Sequence, residues 1–192
     1  MKIGVLALQG DVSEHFLATN EAARKLKLDC ALVEVRTNKD LKALDALIIP
    51  GGESTTMYKL CEREGMLNAI KKIKNIFGTC AGAIMLAKKV RGAETGQKTL
   101  SLMDIEIDRN AYGAQADSFS KKLDTKLGAI DAVFIRAPKI DRIWGDVHVL
   151  AKDNGGILLC EQRSKSSYYL ASCFHPELSS TKIHEHFLRS LV

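Results

Sequence analysis

Ile76-Phe77-Gly78-Thr79-Cys80-Ala81-Gly82-Ala83-Ile84-Met85 is the segment on which the fold assignment turns. Ile76-Phe77 reads as a short apolar strand and Ala81 to Lys88 as a helix, with Gly78-x-Cys80-x-Gly82 as the turn between them. A strand that passes directly into a helix through a tight turn is a unit of α/β architecture. With cysteine at its apex, the turn has the pattern of a nucleophile elbow. A sharp bend lifts one side chain toward the carboxyl end of the sheet, and glycines on either side remove the collisions that such a bend creates. The first turn of the following helix directs unpaired N–H groups and partial positive charge at the sulfur, which favours thiolate. The N–H of Ala81 is placed to donate to an oxyanion.

Upstream, the same alternation repeats. Lys2 to Leu8 reads as a buried strand. Asp11 with Glu14 resembles a capping box, and Val12, Phe16, Ala23 and Leu26 recur at helical spacing to about Lys27. Ala31–Val35 and Ala46–Ile49 are further strands, the second ended by Pro50-Gly51-Gly52. Ser54 or Thr55 is expected to cap the next helix, and another helical stretch covers Leu67 to Lys74. Strands alternating with helices predict a mainly parallel sheet. Downstream the chain is richer in strands: Ile105–Ile107, Ala132–Ile135, Val147–Ala151, Ile157–Glu161 and Tyr168–Phe174, with a hairpin signal at Asn154-Gly155-Gly156. Several of these are expected to pair as antiparallel strands at the sheet edge. A helix from about Thr181 to Leu191 closes the chain.

Composition narrows the class. The chain has 192 residues, 46% apolar and 27% charged, which fits one globular domain spanning 1–192 and excludes a disordered or collagen-like chain. Apolar runs are strand-sized, far short of the roughly 20 residues that span a bilayer. The segment from Met1 to Leu8 is short for a signal peptide and reads better as a core strand. Net charge is +5, but the lysines are dispersed among acidic residues without interleaved aromatics, so nucleic acid is not an expected partner. Cys30, Cys61, Cys80, Cys160 and Cys173 are odd in number and widely spaced, which fits a cytoplasmic setting rather than a disulfide scaffold. No Cys-x-x-Cys pair suggests structural zinc, and only Cys80 has a chemical setting.

Ser172-Cys173-Phe174-His175-Pro176-Glu177 supplies a base and its orienter. In extended backbone i and i+2 share a side, so His175 and Glu177 are expected to project together. A carboxylate beside an imidazole fixes its tautomer and stabilises its charged form. Cys80, His175 and Glu177 thus form a candidate triad. His15, His148, His184 and His186 are read as surface or packing residues. Pro50-Gly51-Gly52-Glu53-Ser54 follows a strand and precedes a helix, where paired glycines let backbone N–H groups approach a ligand. No lysine follows as a phosphate loop requires, so Gly52 is read as an oxyanion donor beside Ala81.

These segments resemble the class I, or triad, glutamine amidotransferases, and within them the SNO (PdxT) family. The similar stretches are Leu8-Gln9-Gly10-Asp11 with His15, Pro50 to Thr56, Gly78 to Gly82, Arg109-Asn110-Ala111-Tyr112-Gly113, Phe134-Ile135-Arg136-Ala137-Pro138 and Phe174 to Leu178. The resemblance implies a three-layer, flavodoxin-like domain with a mainly parallel central sheet. It implies glutamine hydrolysis through a Cys80 thioester, with His175 and Glu177 as the relay and no metal or cofactor. Gly52, Glu53, Ser54, Arg109, Ile135 and Arg136 would hold L-glutamine. Arg109 suits its α-carboxylate, which a guanidinium binds through two hydrogen bonds. The implied partner is a PdxS-type synthase subunit that uses the ammonia to build pyridoxal 5′-phosphate, with Gln9-Gly10-Asp11 as an expected contact. One position departs: Ala114 precedes Gln115 where the family often has arginine. The rival readings are another enzyme on this scaffold, such as the glutaminase subunit of imidazole glycerol phosphate synthase or a γ-glutamyl hydrolase, and a non-catalytic flavodoxin-like regulatory module.

Overall fold

The computed structural model describes residues 1–93, 96–109, 111, 118–153 and 155–192. In chain order the first half runs β1 (Lys2–Leu6), α1 (Val12–Leu26), β2 (Ala31–Val35), β3 (Ala46–Ile49), α2 (Ser54–Arg63), α3 (Leu67–Ile70), β4 (Asn75–Thr79) and α4 (Ala81–Leu86). The second half comprises β5 (Ala87–Arg91), β6 (Met103–Asp108), β7 (Phe119–Thr125), β8 (Gly128–Phe134), β9 (Lys139–Ile143), β10 (Val147–Asp153), β11 (Gly156–Arg163) and β12 (Tyr168–Ser172). A 3-10 turn at Pro176–Leu178 and α5 (Lys182–Arg189) follow.

The centre of the sheet is parallel, in the order β2-β1-β3-β4-β12. Ile3, Val5, Leu6, Leu47, Ile48, Ile49, Ile76 and Phe77 are buried, as expected where helices cover both faces of a sheet. Adjacent residues of β4 locate the two helical layers, because their side chains leave opposite faces. The Phe77 ring packs on His15 of α1 and on His184 and Phe187 of α5. A Cβ on Gly78 would instead meet the backbone of Gly82 and Ala83 in α4. So α1 and α5 lie on one face and α4, packed with α2, on the other. Among the described residues, no helix is long and apolar enough to cross a membrane.

The expected edge strands are a larger region than the sequence suggests. β11 runs antiparallel to β12 and carries two branches. One continues through β10 and β7 to β8; the other passes through β9 and β6 to β5. Three strands escape the sequence pattern. β5, β7 and β9 contain Ala-Lys-Lys-Val-Arg, Phe-Ser-Lys-Lys-Leu-Asp-Thr and Lys-Ile-Asp-Arg-Ile, and each buries a single residue. Pairing through the backbone holds them, so hydrophobic alternation is weak.

Other boundaries also move. The fourth helix ends at Leu86, not Lys88, because Ala87 and Lys88 join β5 beside β6. The helix expected over Leu67 to Lys74 is a single turn, Leu67–Ile70. β12 ends at Ser172 and β8 at Phe134, which frees Phe174, His175 and Ile135 for the site. Asp11 occupies the N-cap of α1 without a side-chain capping bond. Neither Ser54 nor Thr55 caps α2; Glu53 does, accepting from the N–H groups of Thr55 at 3.0 Å and Thr56 at 2.6 Å.

Candidate active site

β4 delivers Cys80 to the carboxyl end of the parallel strands. Cys80 sits at φ 48°, ψ −103°, a left-handed conformation uncommon outside glycine. Two bonds hold it there. Its N–H donates to the Ser172 carbonyl at 2.8 Å, tying the elbow to β12, and its carbonyl accepts from the Ile84 N–H at 3.2 Å, starting α4. Both flanking glycines are required. A Cβ on Gly78 would lie 2.5 Å from the Gly82 carbonyl oxygen, and one on Gly82 would overlap the Ile49 carbonyl of β3.

His175 reaches the same end from the segment after β12. Its N–H donates to the Val133 carbonyl at 2.8 Å, anchoring it to β8. The ring Nδ1 lies 2.8 Å from Glu177 Oε1. An ionised carboxylate only accepts, so Nδ1 carries the proton and Nε2 is left for the cavity that Cys80 and His175 both line. The pairing does not come from extended backbone. Pro176–Leu178 is a 3-10 turn that curls Glu177 back beneath the imidazole. The Glu177 side chain is completely buried, and that burial pushes its carboxyl up against the pull of His175. Burial opposes charge on His175 too, but Asp11, Cys80 and Glu177 outweigh it, so the imidazole pKa is raised.

Two residues here depart from the sequence reading. Asp11 stays at the N-cap of α1 but turns its side chain away from the helix, bringing Oδ2 to 3.1 Å from His175 Nδ1. His15, one helical turn later, is fully buried, with Nε2 3.5 Å from Glu177 Oε1. Their i, i+4 spacing across the first turn of α1 is the signal that could have flagged them. Asp11, His175 and Glu177 are the one trio among the described residues whose potential metal-ligand atoms lie within 4.8 Å of one another, and their hydrogen bonds account for that proximity.

The glycine loop closes over the imidazole. Gly52 adopts φ +134°, and a Cβ on Gly51 would strike His175 Cε1 and lie 2.8 Å from Asp11 Oδ2. Glu53 accepts a hydrogen bond from Arg109 at 2.9 Å. Arg109 also donates to Gln97 at 2.8 Å and to Thr55 at 3.2 Å, and Gln97 donates to Ser54 at 3.0 Å. Burial works against the Glu53 charge, but the two cap N–H groups and Arg109 overcome it and bring its pKa down to about 2. Arg109 is therefore braced by protein partners, not simply projecting as a strand-end arginine. Arg136 takes φ 43°, another strained non-glycine position.

These groups enclose a cavity of about 430 Å³. Cys80, His175, Gly52, Glu53, Ser54, Arg109, Ile135 and Arg136 line it, joined by Gln9, Asp11 and Ile84. Glu177 and Ala81 lie behind the wall. A larger cavity, about 850 Å³, opens beside Met1, Asp45 and Asn75, at the amino ends of the parallel strands and away from the elbow. The remaining cysteines are packing residues: burial pushes the thiols of Cys61 and Cys160 up to about 12 and raises that of Cys173 well above its usual value.

Comparison with known proteins identifies the family. The family model described as "SNO glutamine amidotransferase family" matches residues 5–192. The chain belongs to that family. It is 47% identical over 199 residues to "Pyridoxal 5'-phosphate synthase subunit PdxT" of Korarchaeum cryptofilum, covering 100% of this chain and 99% of the relative. It is 45% identical over 202 residues to the protein of the same name from Pyrococcus horikoshii, covering 100% of both. A crystal structure described as a glutamine amidotransferase superposes with a TM-score of 0.83 at 40% identity, covering 98% of each chain. A crystal structure from Thermoplasma acidophilum, described as a GMP synthase component, shares the fold at a TM-score of 0.58 and 18% identity, covering 100% of this chain and 92% of its own. In this SNO-family chain, most of the Arg-Asn-Ala-Tyr-Gly segment, the departure at Ala114 and Asn154 of the hairpin signal lie outside the described residues.

Proposed function

We propose that the chain is a single glutaminase domain, 1–192, that hydrolyses L-glutamine to L-glutamate and ammonia at Cys80. One observation carries the assignment: a cysteine held in a left-handed elbow shares a cavity with an imidazole whose far nitrogen is bonded to a buried carboxylate. The Cys80 proton passes to His175 Nε2, and the thiolate attacks the side-chain amide carbon. The N–H groups of Ala81 and Gly52 stabilise the oxyanion. His175 returns the proton to the departing nitrogen, the C–N bond breaks, and ammonia leaves a glutamyl thioester. Water, deprotonated by His175, attacks the thioester and releases glutamate and the thiol. Glu177 keeps the proton on Nδ1 throughout. Gly52, Glu53, Ser54, Ile135 and Arg136 form the walls that hold glutamine, with Arg109 at its α-carboxylate end. No metal or cofactor enters these steps.

Ammonia released into water would be protonated and lost, so a synthase must receive it directly. The relatives' name, pyridoxal 5'-phosphate synthase subunit, supports a PdxS-type partner and a role in vitamin B6 synthesis, and the five widely spaced cysteines favour a cytoplasmic setting for it. The test is glutamate release with and without a purified PdxS-type subunit, with Cys80→Ala as control. Release that depends on Cys80 and rises with the partner is the expected result. Full activity in Cys80→Ala overturns the mechanism.

A further inference from the structure

Behind the triad stands a second layer of imidazoles that the hydrolytic steps do not use. His15 of α1 and His184 of α5 are both fully buried. Their rings meet at 3.1 Å between His15 Nδ1 and His184 Nε2. His15 Nε2 lies 3.0 Å from the Thr79 hydroxyl and 3.5 Å from Glu177 Oε1. Thr79 is the residue before Cys80, and Phe77 packs edge-on against both imidazoles. Burial holds both rings neutral: His184 is driven down to about 3 and His15 well below its usual range.

Two neutral imidazoles joined by one hydrogen bond allow two tautomeric arrangements. In one, His184 Nε2–H donates to His15 Nδ1, and His15 carries its proton on Nε2, facing Thr79 and the Glu177 carboxylate. In the other, His15 Nδ1–H donates to His184 Nε2. His15 then turns a bare lone pair toward the carboxylate, and His184 carries its proton on Nδ1. His184 Nδ1 has no hydrogen-bond partner among the described residues. Leaving a lone pair unmatched there costs less than burying an unpaired N–H. A lone pair facing a carboxylate oxygen is repelled, whereas an N–H edge is attracted. Both arguments select the first arrangement.

We propose that His15, locked in its tautomer by His184, is a positioning residue of the glutaminase triad. Its Nε2–H edge holds Glu177 Oε1 in line with His175 Nδ1 and favours the charged carboxylate. This rests on the triad reading given above. The groups facing Glu177 are His175, His15 and Asp11, and those facing His15 are His184, Thr79 and Glu177. Without the His15 edge the carboxylate charge is less favoured, the His175 imidazolium loses support, and the Cys80 thiolate forms at higher pH.

Two measurements on the full chain test this. The first is the pH profile of Cys80 alkylation by iodoacetamide, read on the Cys80 peptide by mass spectrometry. His15→Phe moves the acid limb up by about one unit. His15→Gln, whose amide N–H reaches the same place, returns it toward wild type. An unmoved limb in folded His15→Phe, with glutaminase activity still dependent on Cys80, overturns the positioning role while the triad reading stands. Activity surviving in Cys80→Ala sinks the triad reading instead. The second needs no variant: ¹⁵N spectra of histidine-labelled wild type report each tautomer, and Nδ1–H on either His15 or His184 overturns the proposal.

Discussion

Asp11 and Glu177 approach the same atom: His175 Nδ1 lies 3.1 Å from Asp11 Oδ2 and 2.8 Å from Glu177 Oε1. One proton cannot serve both carboxylates equally. The Glu177 side chain is 0% exposed and that of Asp11 36%, so the Glu177 bond operates in the lower dielectric and is the stronger. Asp11 adds charge more than direction. Both groups raise the His175 pKa, so Asp11→Asn lowers it and His175 gives up its proton at lower pH. The alkaline limb of the glutaminase pH profile is expected to move down by about one unit, measured with the partner present. Asp11 makes no side-chain capping bond, but one unit lost from the raised His175 pKa costs about 1.4 kcal/mol near neutral pH, so the melting temperature should fall by about 3–6 °C.

The elbow glycines admit no side chain. Gly82→Ala drives a methyl into the Ile49 carbonyl, which is backbone in the central sheet and cannot swing aside. The expected cost is about 2–3 kcal/mol, toward the upper end for overpacking, read from urea denaturation. Gly78→Ala should behave alike, because its methyl meets the Gly82 backbone.

Buried neutral histidines make the fold acid-sensitive. His15 and His184 have folded pKa values depressed far below 6.5, so below that pH the unfolded chain binds protons that the native chain refuses. Stability is then lost as pH falls below about 6.5, by up to about 1.4 kcal/mol per pH unit for each histidine. Denaturant midpoints between pH 7 and 5 measure the slope, and His184→Phe, where it folds, should flatten it.

Glu53 acts at lower pH with a different cause. Its carboxyl is held at about 2 against an ordinary 4.5, so its contribution is present above about 4.5 and disappears as pH falls toward 2. Glu53→Gln keeps the shape but loses the charge-assisted cap and the Arg109 pair. It should show a smaller acid loss over that interval in thermal melts. Arg109→Lys removes the fork that reaches Glu53, Thr55 and Gln97 together. The KM for glutamine should rise about tenfold, equivalent to about 1.4 kcal/mol of binding, with kcat changed less.

Thiol accessibility separates the five cysteines. Cys80 lines the cavity and Cys30 is half-buried, whereas Cys61, Cys160 and Cys173 are enclosed. Titration with an aromatic disulfide reagent should modify Cys80 and Cys30 in the native protein and the other three only on unfolding. Early reaction at Cys160 or Cys173 would contradict this packing.

Much of the frame is legible in the chain because local rules govern it. The strands at Ala31–Val35 and Ala46–Ile49 lie where their apolar residues put them, the first broken only by Glu34. The elbow is readable because only glycine fits the contacts at 78 and 82. Lys-rich β7 and β5 are not, since backbone pairing rather than an apolar face holds them in the sheet. The partnership of His175 and Glu177 follows from their spacing, but for a different geometric reason: a 3-10 turn, not an extended segment, joins them.

Residue order alone was enough for the α/β alternation of the first half, for the one cysteine set in a bend and for the carboxylate two residues beyond His175. Those features depend on neighbours within a few positions, where chain geometry constrains what each residue can do. Three-dimensional packing was needed to show that the Asp11 side chain pairs with His175 instead of capping its helix, that Arg109 is braced by Glu53, Thr55 and Gln97, and that His15 and His184 back the triad. Each of these contacts joins segments distant in the chain. Their energy comes from burial and from hydrogen bonds that exist only once the sheet has brought those segments to one end.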